Sequence, residues 1–367
     1  MGMMGPMAEG PGNMFTVPGW YQQTRGAAFG LGAAALFGIS APLAKVLLGE
    51  VSPVLLAGLL YLGAALGLWA HRLVAPPTKE APLGRRDISK LALVVLSGGV
   101  AAPVLMLFGL SRVTALTGSL LLNLEAPFTV LLAVLLFREH LGRYAAVATL
   151  LIVGGAAVLK LDPGSLGAET VGVLLLAAAC ACWALDNNLT QKLSLRDPFA
   201  IVRVKTLVAG ATNTAIGLVV VQSALPSGGY VAAALLLGSL SYGVSVVLDA
   251  YALRLVGAAR EAGYFATAPF VGALASVAIL GDSLRWHDAM AMTAMAVGVA
   301  YLLRERHAHQ HAHDALDHEH LHVHDEHHRH EHLLGEPLGE PHSHFHRHAP
   351  LVHDHPHLPD AHHRHRH

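Results

Sequence analysis

From Thr206 to Leu248 the chain carries no Asp, Glu, Lys or Arg. A stretch of that length without charge suits the hydrocarbon core of a bilayer, where about 20 apolar residues cross about 30 Å as a helix. Its turn signal, Pro226-Ser-Gly-Gly, splits it into two spans. Eight further runs of similar character give ten candidate spans. They are Gly26–Leu48, Val51–Leu73, Leu91–Leu110, Ala115–Phe137, Tyr144–Leu159, Val171–Gln191, Pro198–Val221, Tyr230–Leu253, Ala262–Leu280 and Trp286–Leu303. The runs are continuous and do not alternate, which excludes the strands of a membrane barrel. The fold class expected is an all-α polytopic membrane protein with ten transmembrane helices.

Composition agrees. Only 13% of the 367 residues are charged and 53% are hydrophobic, against about 25% charged in soluble domains. Of the 49 charged residues, 17 fall in the last 64 positions, so the rest is more apolar still. A net charge of −1 offers no basic field for nucleic acid. Cys180 and Cys182 stand two apart, about 200° around a helix, and cannot pair. The chain has no P-loop, no His-Glu-x-x-His and no nucleophile elbow, so it is not read as an enzyme. No cofactor is expected for its core function.

Residues 1–25 are rich in Gly, Met and Pro and read as a disordered lead-in, with Trp20 and Tyr21 at headgroup level. Lys and Arg set the orientation. With the N-terminus inside, the inner loops hold Arg72, Lys79, Arg85, Arg86, Lys90, Arg138, Arg143, Lys192, Arg196, Arg254 and Arg260. The outer side holds only Lys45, Arg112, Lys160 and Arg285. The expected setting is the cytoplasmic (inner) membrane, with both termini in the cytoplasm.

The two halves repeat each other. Phe108-Gly-Leu-Ser-Arg-Val-Thr-Ala aligns with Tyr251-Ala-Leu-Arg-Leu-Val-Gly-Ala, and Ala126-Pro-Phe with Ala268-Pro-Phe. Glu139 faces Asp282, and Phe37-Gly38 and Pro53 face Trp183-Ala184 and Pro198. Five spans per copy is an odd number, so the second copy must be inverted, the arrangement of secondary transporters. The expected domains are a first repeat over 26–160, a second over 171–304 and a tail over 305–367.

On these segments the chain resembles the drug/metabolite transporter superfamily of the EamA type, over roughly residues 26–304. The resemblance implies two five-helix bundles, alternating access and, usually, export of small metabolites. Glu125 beside the first mid-helix proline and a His-rich tail depart from the common pattern.

Charges inside spans are costly and face protein or a wet cavity. Three carboxylates qualify: Glu125, Asp186 and Asp249. Glu125 suits substrate or coupling-ion contact, or is a buried carboxyl satisfied by Thr129 one turn away. Asp186 pairs with Lys205 at similar depth, and Asn187 and Asn188 add groups that a bare ion pair does not need. Asp249 continues a helical stripe of Gly238, Ser241, Tyr242 and Ser245, the pattern of a cavity wall. Pro127 and Pro269 kink their helices and free the carbonyls of Asn123 and Phe265, which then line protein or water.

The tail is another material. Of 26 histidines, 23 lie between His307 and His367. They recur as His-x-His at His307, His309, His311, His313, then His318, His320, His322, His324, then His342, His344, His346, His348, then His353, His355, His357. With almost no apolar content the segment is expected to be disordered and cytoplasmic. Alternate residues of an extended chain share a side, so the pattern offers imidazole pairs to Ni, Zn, Co or Cu.

Three functions are open to such a chain. The first is a secondary transporter of a small organic solute. The second is a transporter of a divalent transition metal, fed by the tail. The third is a non-transporting membrane metal buffer or sensor. The partners expected are the solute or ion and the lipid bilayer, with no nucleic acid; the oligomeric state is left open.

Overall fold

The structure is a computed structural model. It describes residues 19–75, 82–137, 141–159, 168–193, 196–256 and 258–304, and in the tail 307–313, 316–322, 342–348 and 351–357. Between residues 19 and 304 the regular elements among the described residues are all helical. Among the described residues, seven helices are long and apolar enough to cross a membrane. They are α1 (Gln23–Leu47), α2 (Pro53–Val74), α3 (Arg85–Leu110), α4 (Ala115–Leu136), α6 (Glu169–Gln191), α8 (Gly228–Leu253) and α9 (Arg260–Leu280). The other three expected spans hold helices outside that set: α5 (Arg143–Val158), α7 (Pro198–Ala215, continued by a π turn over Ile216–Val220) and α10 (Trp286–Leu302).

The outer surface is apolar. Leu66, Leu73, Leu135, Leu150, Leu174, Leu236 and Leu274 are all exposed. Such a surface fits acyl chains and would be a liability in water. Inside, Leu55, Leu56, Leu107, Leu120, Ile152, Leu176 and Met295 join one core drawn from both halves.

Helix ends obey local chemistry. Pro53 and Pro198, matched in the repeat, both open their helices, where a missing N–H costs nothing. Asp197 Oδ1 accepts the Phe199 N–H at 2.8 Å. Asp282 Oδ2 accepts the Leu116 N–H at 2.9 Å, capping the start of α4 from across the bundle. Lys45 Nζ donates to the carbonyls of Leu110 and Val113 at 2.6 and 2.8 Å, closing the end of α3.

The packing has an internal pattern. α2 packs on α7, α4 on α9 and α5 on α10. α1 packs on α8 as α3 does on α6, α1 on α9 as α4 on α6, and α2 on α8 as α3 on α7. Exchanging each helix with its repeat mate turns each of these contacts into another of the set. Small residues make the crossings close. A Cβ on Gly155 would stand 3.0 Å from the Ala291 carbonyl, and one on Gly298 3.1 Å from the Ala148 carbonyl.

Two expectations change. Helix begins at Gly19 and not after residue 25, because Pro18 is the last proline of the lead-in and the residues after it are helix-compatible. The tail, expected to be without structure, is described in part as strands: His307–His313 pairs with Leu351–His357, and Leu316–His322 with His342–His348, both antiparallel. His-x-His has the period of a strand, and that period governs the backbone here. His324 lies outside the described residues, as do Lys79, Arg138, Glu139 and Lys160.

Candidate functional site

Five of the long helices are interrupted. α1 breaks at Ile39, between the helices Gly19–Gly38 and Ser40–Leu47. α3 carries a π-helical turn at Val95–Ala101 and α8 another at Ser239–Val244. α4 tightens to a 3₁₀ turn at Leu122–Leu124, and α9 restarts at Ala268. Pro127 and Pro269 sit in the first turn of the restarted segments, so the expected kinks are present as breaks. Irregular backbone at membrane depth must be buried in protein or line water.

Side chains from both halves gather at these breaks. The Gly98 carbonyl, in the α3 π turn, accepts from Tyr61 Oη at 2.9 Å and from Trp183 Nε1 at 3.1 Å. A π turn leaves carbonyls short of their usual α-helical partner, and two aromatic donors use this one. Asp186 packs directly over Gly98, where a Cβ would collide with its carboxylate. Its Oδ2 pairs with Lys205 Nζ, and its Oδ1 accepts from Thr190 Oγ1 at 3.2 Å. The ion pair expected from the sequence is therefore formed.

Glu125 finds a different partner from the one expected. Its Oε1 accepts from Asn187 Nδ2 at 2.6 Å. The Thr129 hydroxyl turns instead to the Glu125 main-chain carbonyl, at 2.8 Å. Asn187 is exposed and Glu125 partly so, whereas Asp186 and Asn188 are buried. Asn188 Nδ2 donates to the carbonyls of Ala184 and Thr129 at 2.8 and 3.2 Å, tying α6 to α4.

An aromatic group adjoins Tyr61. Tyr242 Oη lies 3.3 Å from Ser40 Oγ. Its ring is edge-on to Phe37 at 5.5 Å and 6.0 Å from Tyr61.

Three expected residues stand elsewhere. Asn123 is buried and bonds the Leu120 carbonyl at 3.0 Å, with Met295 Sδ of α10 at 3.8 Å. Ser245 is buried, and its hydroxyl has no hydrogen-bond partner among the described residues. Asp249 lies beside the Glu261 carboxyl of α9 and not with the Tyr242 group. Its Oδ1 is buried without a hydrogen-bond partner among the described residues. A uniform helical period puts Asp249 on the stripe of Tyr242. The π turn adds a residue, which rotates the positions after it by about 100°.

Tyr61, Trp183, Ser40 and the Gly98 carbonyl are not among the expected residues. Tyr61 and Trp183 are polar-tipped aromatics inside spans, a signal the sequence does carry. A hollow of about 130 Å³ elsewhere, lined by Thr114, Thr117, Glu169, Arg285, His287 and Asp288, contains none of the expected residues.

Known proteins match this architecture. The model of the EamA-like transporter family matches residues 24–161 and again 170–304. A protein named as an uncharacterized transporter of Methanothermobacter thermautotrophicus is 33% identical over 288 residues, covering 74% of this chain and 83% of its own. An uncharacterized protein of Pseudomonas aeruginosa is 32% identical over 187 residues, or 51% of this chain and 64% of that protein. A solved crystal structure superposes with a TM-score of 0.55 at 21% identity, over 76% of this chain and 96% of that one, a likeness of fold.

Proposed function

The chain belongs to the EamA-like transporter family, and from that premise we propose that it is a secondary transporter of a small organic solute bearing both charges. The observation that carries this reading is the set Glu125–Asn187 and Asp186–Lys205. It brings a carboxylate, an amide and an ion pair together from both repeats. An exposed amide and carboxylate within the hydrocarbon-crossing part of a chain are costly against lipid, so their free surface belongs to a water-filled opening. Midplane sites between repeats are where transporters bind cargo.

Zwitterions fit such a set. An ammonium can replace the Asn187 contact on Glu125, and a carboxylate can compete for Lys205. A divalent cation fits less well, because the Lys205 ammonium opposes it. Among the described residues between 19 and 304, no three His, Cys, Asp or Glu group to hold a metal.

The second repeat is read as inverted, with both termini in the cytoplasm of an inner membrane. The packing that maps onto itself when halves exchange supports the two-fold relation between the repeats, and the Lys and Arg bias of the loops supports the orientation. Rocking of one bundle on the other would then open the site to each side in turn, in the direction of export.

Counterflow in proteoliposomes tests the reading. Labelled zwitterionic amino acids, their singly charged analogues, Ni²⁺ and Zn²⁺ are compared. Zwitterion counterflow that Glu125→Gln abolishes in a folded protein is expected. Flux of metal alone, or flux indifferent to Glu125 and Lys205, overturns it.

A further inference from the structure

The tail strands pair with their histidines in phase. His307 lies opposite His357, His309 opposite His355 and His311 opposite His353. His318 lies opposite His346, His320 opposite His344 and His322 opposite His342. In both sheets the partner numbers add to the same total, so the four strands follow one antiparallel register. A slip of one residue would set every histidine against Ala, Gln, Asp, Pro, Ser, Phe or another non-histidine. In the register found, six pairs of histidines face each other, while His313 faces Leu351 and His348 faces Leu316.

That placement has a metal-binding geometry. Opposed positions of an antiparallel pair have Cβ atoms about 4.5–5.5 Å apart, and next-but-one positions on a strand are about 7 Å apart. Positions 309, 311, 353 and 355 therefore mark a rectangle on one face of the ribbon, and 318, 320, 344 and 346 mark a second. Four imidazoles at such corners are the ligand set for a borderline divalent ion, with metal–nitrogen bonds of about 2.0–2.1 Å. An isolated two-stranded ribbon is marginal in water. Bound metal supplies the missing free energy, because ligand assembly and folding become one step.

We propose that strands 307–313 and 351–357, with 316–322 and 342–348, form a metal-clasped β-ribbon, in which cross-strand histidine quartets bind a first-row divalent transition ion such as Zn²⁺ or Ni²⁺. The clasp joins segments distant in the chain and does not depend on what the membrane core carries. It differs from chelation by neighbouring His-x-His pairs, which leaves the two segments apart.

Full-length protein in detergent tests it, with Zn²⁺ as the probe. Spin labels go on Gln310→Cys and Asp354→Cys, register partners on the non-histidine face, with Cys180 and Cys182 replaced by Ala. Zn²⁺ should produce strong dipolar broadening between the labels, and a chelator should reverse it. His353→Ala with His355→Ala should abolish the broadening and weaken Zn²⁺ binding by calorimetry at least about tenfold. Zn²⁺ binding without broadening sinks the clasp in favour of local chelation. Broadening that is unchanged by Zn²⁺ sinks the role of metal. No Zn²⁺ binding at neutral pH sinks both.

Discussion

Removing Lys205 should harm the protein more than removing both members of its ion pair. The Asp186 side chain is 4% exposed and that of Lys205 is 18%. Lys205→Met leaves a buried carboxylate with only the Thr190 hydroxyl, at 3.2 Å. Breaking a buried pair this way costs about 3–5 kcal/mol. Asp186→Asn leaves the ammonium unpaired, but its longer stem and greater exposure let it move toward water, so the cost falls to about 1–2 kcal/mol. The double variant buries no net charge and should lie within about 1 kcal/mol of the parent, giving a coupling of at least about 3 kcal/mol. SDS-driven unfolding in mixed micelles, read by tryptophan fluorescence, measures the four corners of the cycle. Additive single effects would refute the pairing. A milder loss for Lys205→Met than for Asp186→Asn would refute the argument from exposure. The double variant should still lose transport, because the proposed solute uses both charges.

The same geometry fixes other outcomes. Glu125→Gln keeps the Asn187 contact but removes the charge, so transport should fall at least about tenfold with unfolding unchanged; full activity in flux assays would reduce Glu125 to packing. Gly155→Ala meets Met295 Cγ at 2.9 Å and the Ala291 carbonyl at 3.0 Å, whereas a Cβ on Gly154 meets nothing within 4 Å. Gly155→Ala should therefore cost about 1–3 kcal/mol, and Gly154→Ala should be neutral or stabilising, by the same unfolding titration. Single cysteines at Gly84 and Gly228, both with room for a side chain, should label with impermeant maleimide from opposite sides, Gly228→Cys from outside. Truncation after Arg304 should leave zwitterion flux intact, since the site lies wholly in the helices; its loss would tie the tail to the core.

Fold is legible where one physical signal dominates. Length and apolarity alone locate helices, because bilayer thickness fixes how long a span must be. The repeat is legible because matched prolines and aromatics survive at corresponding depths, as at Pro53 and Pro198. The site is only half legible. Lys205 and Asp186 can be paired because a buried charge demands a partner, and depth limits the choice. Glu125 cannot be assigned to Asn187, since nothing in one chain states which helices touch. Asp249 fails for another reason: its stripe assumes 3.6 residues per turn across a segment that has a π turn. Glu261 reads as loop, because Arg260 and Glu261 together look like a boundary; the helix in fact runs through them and sets Glu261 beside Asp249.

Two of the three π turns among the described residues recur at matching positions; the third, Ile216–Val220 at the end of α7, has no counterpart in α2. The alignment that joins Phe108 to Tyr251 carries Val95–Ala101 onto the stretch that holds Ser239–Val244. Each turn lies against a helix from the other half, α3 on α7 and α8 on α2. The aromatic partners match as well, since Trp183 meets the first turn and its mate Phe37 meets the second. The charges do not match. By the same alignment Asp186 falls on Ser40, Lys205 on Leu60 and Glu125 on Thr267. Ser40 even keeps the geometry, bonding Tyr242 of the α8 turn as Asp186 packs on Gly98 of the α3 turn. The scaffold is thus nearly two-fold while its electrostatics are one-sided. Under the proposed inverted, alternating arrangement the two end states would be equivalent if the halves were identical. Putting the ion pair and Glu125 on one side would make them unequal in energy and in affinity, so the proposed solute would bind them differently. Only a ligand with different affinity for two states can shift the balance between them, and in the proposed transporter that difference would reside in three residues without charged counterparts in the other half.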